Sequence, residues 1–134
     1  MPELPEVETS RRGIEPWILG TTINKVVVRD RRLRWPVAKG VERKLKGRAI
    51  EAVDRRAKYL LIRTSGDTII LHLGMTGSVF IVDHGAPAGI HDHLDFELES
   101  GKVLRFRDPR RFGSFHLSKD PLAHPLLAKL GPEP

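Results

Sequence analysis

The first residues of the chain have the types and spacing that covalent chemistry on an aldehyde or a sugar requires. Met1 precedes Pro2, and a small second residue normally allows the initiator methionine to be removed, which leaves proline at the N-terminus. An α-amino group has a pKa of about 7.7–8.0, so this secondary amine is partly unprotonated at neutral pH. It can form an iminium at an aldehyde or a sugar C1′ carbon, and Glu3 brings a carboxyl group within reach.

The same stretch also has a purely structural interpretation. Pro5 suits the first position of a helix, and Glu6 and Glu8 are favourable near the positive end of the helix dipole. On these residues alone, both interpretations stay open.

Two further positions combine a reactive or bulky side chain with an unusual place in a strand or turn. Lys58 opens a predicted strand and shares a face with Leu60 and Ile62. It is either a strand-end lysine whose stem covers apolar surface or an ammonium group held in a site. Met75 follows Gly74 at the tip of a tight turn, where it either folds back onto the sheet or acts as an apolar wedge for a DNA stack.

The segment 108–113, Asp-Pro-Arg-Arg-Phe-Gly, predicts a rigid turn with two guanidinium groups and an aromatic ring at its apex. Arg110 and Arg111 could bind phosphates or the edge of an unpaired base, and Phe112 could insert between bases. Two exposed tips of this kind in one small basic protein are difficult to explain by core packing. They indicate a nucleic-acid surface.

Other kinds of site receive less support. No arrangement of Ser and His suggests a hydrolase triad. His91 and His93 share a strand face, but no third ligand is identifiable, so no metal site is predicted. The basic cluster 29–35, which ends at Trp35, is either a solvated loop or a phosphate contact.

Composition limits the class of protein. The 134 residues suffice for one domain with a real core, and the absence of cysteine excludes disulfides and thiolate metal ligands within the chain. We see no signal-type segment and no apolar run of membrane-spanning length, which predicts a soluble, cytoplasmic protein without a membrane partner. The formal net charge of +6 and the pI of about 10.1 favour a polyanionic partner, nucleic acid above a membrane surface.

Hydrophobic periodicity predicts the elements that must position these residues. Apolar spacing indicates a helix over about 5–19, and an N-cap at Asp120 with a leucine face indicates a second helix over 120–130. Residues 37–46 are ambiguous and could hold one short helix. Alternating and β-branched runs predict strands at about 23–29, 48–54, 58–64, 67–73, 78–82, 91–99, 102–107 and 114–118. We therefore predict an α+β fold, an antiparallel β-sandwich of about eight strands flanked by two α-helices.

Five segments together closely resemble bacterial formamidopyrimidine-DNA glycosylase. In chain order they are residues 1–9, 55–61 (Arg-Arg-Ala-Lys-Tyr-Leu-Leu), 71–77 (Leu-His-Leu-Gly-Met-Thr-Gly), 91–93 (His-Asp-His) and 108–113. The resemblance extends over the whole chain. It implies base-excision repair of double-stranded DNA by a bifunctional glycosylase and AP lyase that removes oxidised purines through a proline Schiff base with β,δ-elimination.

The resemblance also implies residue roles. Pro2 would be the nucleophile at C1′, Glu3 the general acid/base, and Lys58 the group that assists the proton transfers of β-elimination. The residues that would fill the gap left by the extruded nucleotide are Met75, Arg110 and Phe112. Those that would contact DNA are His91, Arg110 and, with weaker support, His72.

Members of this family are about twice as long as this chain. Their second half carries a helix–two-turn–helix module and a four-cysteine zinc finger, so the resemblance places the one expected zinc ion outside this cysteine-free chain. Residues 1–130 are thus predicted to be an N-terminal catalytic domain, and 131–134 the start of a linker. Alone, this monomeric domain is expected to bind DNA weakly and to turn over poorly or not at all.

Two rival functions remain on the sequence evidence. One is a tautomerase that uses Pro2 as a base, which would need neither a basic surface nor exposed tips. The other is a non-catalytic DNA-binding fragment in which Pro2 only starts a helix.

Overall fold

The computed structural model describes residues 4–120 and residue 124. Within them the chain forms two four-stranded antiparallel sheets and two helices, which confirms the predicted α+β sandwich. One sheet has the strand order β1-β6-β7-β5 and the other β2-β3-β4-β8. The strands are β1 (Ile23–Val28), β2 (Ile50–Arg56), β3 (Tyr59–Thr64), β4 (Thr68–His72), β5 (Ser78–Asp83), β6 (Asp92–Leu98), β7 (Lys102–Arg107) and β8 (Ser114–Ser118).

The N-terminal helix α1 spans Leu4–Ile18 and places Val7, Ile14 and Ile18 in the core. Arg11, which interrupts this apolar stripe, donates hydrogen bonds to Glu8 at 2.7 and 2.9 Å and to the carbonyl oxygen of Val53 in β2 at 3.2 Å. The hydrogen bond from Arg11 is the main reason that the pKa of Glu8 falls to about 2. The arginine therefore fastens the helix to the sheet.

The second helix, α2, is short. It spans Val41–Leu45 and buries only those two apolar residues, one turn apart. The segment that the sequence left ambiguous thus contains one helical turn. The helix predicted over 120–130 lies outside the described residues, apart from Asp120 and residue 124.

Apolar side chains from both sheets interdigitate to form the core. Phe96 of β6 stacks on Phe115 of β8 with ring centroids 5.8 Å apart, which joins one sheet to the other. In β6, Leu94, Phe96 and Leu98 all point into this core, as their alternation predicts. No helix among the described residues is both long and apolar enough to cross a membrane.

The opposite face of β6 is buried as well, which its polar sequence did not predict. Asp95 and Arg105 of β7 are each only 4% exposed and form a two-point ion pair with distances of 2.9 and 3.0 Å. Arg29 donates a further hydrogen bond to Asp95 at 2.7 Å. Arg105 also binds the carbonyl oxygens of Ala86 and Pro87 at 3.0 and 2.9 Å. The β5–β6 loop therefore covers the charged layer.

Candidate nucleic-acid interface

Lys58 lies in the tight turn between β2 and β3. The preceding Ala57 has a positive φ of 51°, a left-handed conformation that a non-glycine residue seldom adopts. Arg55 donates a hydrogen bond to the carbonyl oxygen of Ala57 at 2.9 Å and so holds the turn. Lys58 is half-buried there.

His72 lies at the end of β4, close enough to Lys58 to sense its charge. Burial lowers the pKa of His72, and the charges of Lys58 and Arg34 lower it further. Its Nδ1 accepts a hydrogen bond from the Gly74 N–H at 3.0 Å, so the neutral ring carries its proton on Nε2. At neutral pH His72 is therefore a neutral hydrogen-bond donor.

The turn after β4 projects Met75 into solvent. The side chain is 52% exposed, so it does not fold back onto the sheet. Gly74 supplies the positive φ of 64° at the start of the turn, and the Gly77 N–H closes it on the Leu73 carbonyl oxygen at 2.7 Å.

The 108–113 loop lies directly beside this turn. A Cβ atom on Gly74 would stand 2.7 Å from the Gly113 nitrogen and from the Phe112 carbonyl carbon, so only glycine allows the approach. Phe112 is 43% exposed, and the Arg110 guanidinium lies 4.9 Å from the centre of its ring. The two apolar tips and one arginine thus share one edge of the sandwich.

A cleft of about 620 Å³ opens between these tips and the 29–35 loop. Its lining includes Met75, Phe112 and His72 on one side and Arg34 and Trp35 on the other. The Arg34 N–H donates to the Gly113 carbonyl oxygen at 3.1 Å, which brings the basic loop to the cleft. Sequence reasoning did not assign these two residues to the site, and the remaining lining residues are Tyr59, Gly74 and Ser114.

The two histidines predicted to share a strand face have different environments. His91 is exposed, whereas His93 is 1% exposed and its Nε2 lies 2.7 Å from the carbonyl oxygen of Asp108. Because a carbonyl only accepts, Nε2 of His93 is the donor. Across residues 4–120 and 124, the structure contains no group of three or more acidic or histidine side chains that could hold a metal ion.

The structure thus brings together Lys58, His72, Met75, Arg110 and Phe112 around or beside the cleft, with His91 on the adjoining loop. Pro2 and Glu3 lie outside the described residues.

Known proteins resemble this chain over its whole length. The profile of the formamidopyrimidine-DNA glycosylase N-terminal domain matches residues 1–115. A formamidopyrimidine-DNA glycosylase from Stutzerimonas stutzeri is 60% identical over all 134 residues, and one from Pseudomonas entomophila is 58% identical over the same length. The chain spans about half the length of these curated relatives, 50% in both cases.

Solved structures give the same result. The Lactococcus lactis formamidopyrimidine-DNA glycosylase bound non-covalently to DNA with an AP site superposes with a TM-score of 0.86 at 32% identity. That match covers 96% of this chain and 49% of the Lactococcus chain. The same Lactococcus enzyme with N7-benzyl-Fapy-dG DNA gives a TM-score of 0.85 at 33% identity, over 96% of this chain and 48% of its own. The chain belongs to the formamidopyrimidine-DNA glycosylase family and corresponds to its N-terminal domain.

Proposed function

We propose that this chain supplies the catalytic half of a DNA glycosylase and AP lyase that removes 8-oxoguanine and formamidopyrimidines from double-stranded DNA. The observation that carries the proposal is the cleft, where two exposed apolar tips stand beside cationic side chains. The names of the relatives and the DNA in the Lactococcus structures support the same substrate class. Residues 1–130 would form the catalytic domain, followed by a linker from 131.

Extrusion of the damaged nucleotide is the first requirement. A stacked nucleotide does not present C1′ to a protein amine, and flipping it out costs roughly a few kcal/mol. Insertion of Met75 and Phe112 would offset this cost by filling the gap, and Arg110 would bind the base that has lost its partner.

The chemistry then takes place at the sugar. The Pro2 nitrogen attacks C1′, and the bond from C1′ to the base breaks with its electron pair leaving on the base. Glu3 supplies and removes protons as the base departs and the sugar ring opens to the Schiff base. Lys58 assists the proton transfers of β-elimination, which expels the 3′ phosphate, and δ-elimination then expels the 5′ phosphate.

Binding to the DNA backbone would use the basic surface. His72 can donate from Nε2 to a phosphate oxygen, and His91 and Arg110 lie on neighbouring loops. The formal charge of +6 makes strongly salt-dependent binding the expected behaviour. A four-cysteine zinc site does not fit this chain because it contains no cysteine, so such a site would belong to the part of the relatives beyond it.

Borohydride trapping tests the proposal. The chain is joined after Pro134 to the remaining part of the Stutzerimonas stutzeri relative, and this fusion protein is compared with the 134-residue chain on an 8-oxoguanine duplex. Borohydride reduces the Schiff base to a stable cross-link, which mass spectrometry locates. We expect efficient trapping by the fusion protein and little by the chain alone, since the family resemblance places half of the DNA-binding surface beyond this chain.

The controls separate the alternatives. The intact mass must first establish that Met1 has been removed, because its retention blocks the amine. A fusion protein that binds the duplex but never traps would favour the non-catalytic DNA-binding function. Keto–enol tautomerase activity, together with no binding to duplex DNA at low salt, would favour the tautomerase. Efficient trapping by the chain alone would contradict its expected poor activity.

Replacing Phe112 with alanine should slow excision of 8-oxoguanine by the fusion protein. The ring is 43% exposed at the cleft. A stacking contact with a base contributes about 1–3 kcal/mol, so we expect a decrease of about 5- to 150-fold. Single-turnover excision assays measure it. Trp17→Ala is the matched control, because Trp17 is 51% exposed and contacts Lys102. Lys102 begins β7, whereas the 108–113 loop follows the other end of that strand. Equal rates for the two variants would contradict the wedge role of Phe112.

A further inference from the structure

Asp108, the residue that follows β7, is fully buried and lies between the two tips. Its Oδ1 accepts a hydrogen bond from the Thr76 hydroxyl at 3.0 Å, and its Oδ2 accepts one from the Gly113 N–H at 2.8 Å. Thr76 follows Met75 in the chain, and Gly113 follows Phe112. One carboxylate therefore binds the residue next to each apolar tip.

The main chain of Asp108 reaches a third loop. Its N–H donates to the carbonyl oxygen of His91 at 3.0 Å, and its own carbonyl oxygen accepts the hydrogen bond from His93 Nε2 at 2.7 Å. The exposed His91, the Met75 turn and the Arg110–Phe112 loop are thus all fixed relative to one residue.

The carboxylate differs from the other buried acids of the sandwich. Asp92 and Asp95 are each paired with arginines, whereas no lysine, arginine or histidine nitrogen of the described residues 4–120 and 124 forms an ion pair with Asp108. Its charge is instead satisfied by neutral donors that belong to the two tip-bearing loops. A hydrogen bond to a charged group is stronger than a neutral one, and loss of a donor leaves buried charge poorly solvated.

The close approach of the loops explains why such a bridge can form. A Cβ atom on Gly113 would lie 2.5 Å from the His72 carbonyl oxygen and 2.9 Å from Asp108 Oδ2, so the glycine allows the carboxylate to reach both loops. Movement of either tip would stretch or break a hydrogen bond to Asp108.

We propose that Asp108 is a positioning residue that holds the Met75 and Phe112 tips at a fixed separation, so that both enter the DNA stack together. The inference rests on the proposed function, since it assigns a further residue to the wedge of that same site. Rigid wedges lower the cost of extruding a stacked base. They matter less at an abasic site, where no base has to be extruded.

Thr76→Val tests the inference because it removes the hydroxyl donor and leaves Asp108 bound to Gly113. In the fusion protein we expect single-turnover excision of 8-oxoguanine to slow about tenfold, with cleavage of a preformed abasic site changed by less than about twofold. Thr76→Ser should restore excision, because serine returns the hydroxyl. The fluorescence increase of 2-aminopurine placed beside the lesion should be smaller in Thr76→Val than in the wild type.

Thr64→Val is the matched control. The Thr64 hydroxyl also serves a turn, where it donates to the Asp67 carbonyl oxygen and accepts from the Gly66 N–H, far from the tips. Its loss should leave the ratio of the excision rate to the abasic-cleavage rate unchanged. Asp108→Asn, with melting curves to establish folding, should lower that ratio at least as much as Thr76→Val.

Four outcomes would be decisive. An unchanged ratio in Thr76→Val, or no rescue by serine, overturns the coupling of the tips by Asp108. A wild-type fusion protein that cleaves neither substrate overturns the proposed function instead. In that case the 2-aminopurine signal on DNA binding decides the coupling, and a signal equal in wild type and Thr76→Val overturns it.

Discussion

The Pro2→Gly variant of the fusion protein is expected to lose borohydride trapping while its affinity for abasic duplex stays within about twofold of the wild type. A secondary amine gives an iminium without an N–H, which stays cationic and electron-withdrawing at every pH. A glycine imine is neutral and must first be protonated before it becomes an equally electron-withdrawing cation. The proline ring also fixes the direction of the nitrogen relative to the chain. Gel mobility of reduced cross-links and a binding titration measure the two quantities.

The control for this variant is the wild-type fusion protein with Met1 retained, which keeps proline but acylates its nitrogen. It should also fail to trap. If Pro2→Gly traps as well as the wild type and mass spectrometry places the cross-link away from residue 2, Pro2 is not the nucleophile. The helix-start interpretation alone would then explain the N-terminal stretch.

The largest expected effect on stability belongs to Asp95→Ala. The variant would leave Arg105 buried without its carboxylate, and breaking a buried pair by removing one partner costs about 3–5 kcal/mol. Urea unfolding of the chain measures the loss. Asp83→Ala is the matched control, because it removes an acid that pairs with Lys102 at the exposed end of the adjacent strand pair, where Asp83 is 79% exposed. We expect little change in the free energy of unfolding of Asp83→Ala. A comparable loss in both variants would contradict the stabilising role of the buried Asp95–Arg105 pair.

The same ion pair gives the stability a pH dependence. Burial acts to raise the pKa of Asp95, but the hydrogen bonds and charges of Arg105 and Arg29 outweigh it, so the pKa lies below its ordinary value. A depressed folded-state pKa gives stability that is present above the unfolded pKa of about 3.9 and is lost as the pH falls through the folded value. Urea midpoints should therefore fall below about pH 4, and less steeply in Asp95→Ala.

Local sequence signals were sufficient for most of the fold. Strand periodicity and the glycine-containing turns predict all eight strands to within about two residues, because the strands bury apolar side chains and their turns have strong local preferences. The helix α2 was ambiguous because only Val41 and Leu45 are apolar in it, too few to define a period. Alternation in β6 assigned Leu94 to the core correctly but could not predict that Asp95 is buried too. That burial depends on Arg105 in β7, on the β5–β6 loop that Arg105 binds, and on Arg29, which is distant in sequence.

Local sequence signals likewise predicted some residues of the candidate site and missed others. Residue type and exposure in turns singled out Met75 and Phe112, since a bulky apolar side chain at a glycine-flanked tip is locally unusual. Arg34 and Trp35 were not assigned because a basic loop has the same sequence whether it is solvated or lines a cleft. The sequence marks Asp108 only as part of the 108–113 motif, because its role depends on contacts with loops about 15 and 30 positions earlier in the chain.

The way in which Arg105 binds the β5–β6 loop determines which residues of that loop can be substituted. The guanidinium contacts the main-chain oxygens of Ala86 and Pro87, and every residue type offers such an oxygen. The side chains of Ala86 and Pro87 can therefore be exchanged without loss of the acceptor oxygens. Ile90, at 83% exposure, is accordingly a suitable position for a cysteine-linked dye in this otherwise cysteine-free chain. Such a dye would sit one residue from His91, the proposed DNA contact, and its response to added duplex would test DNA binding there without disturbing the sandwich.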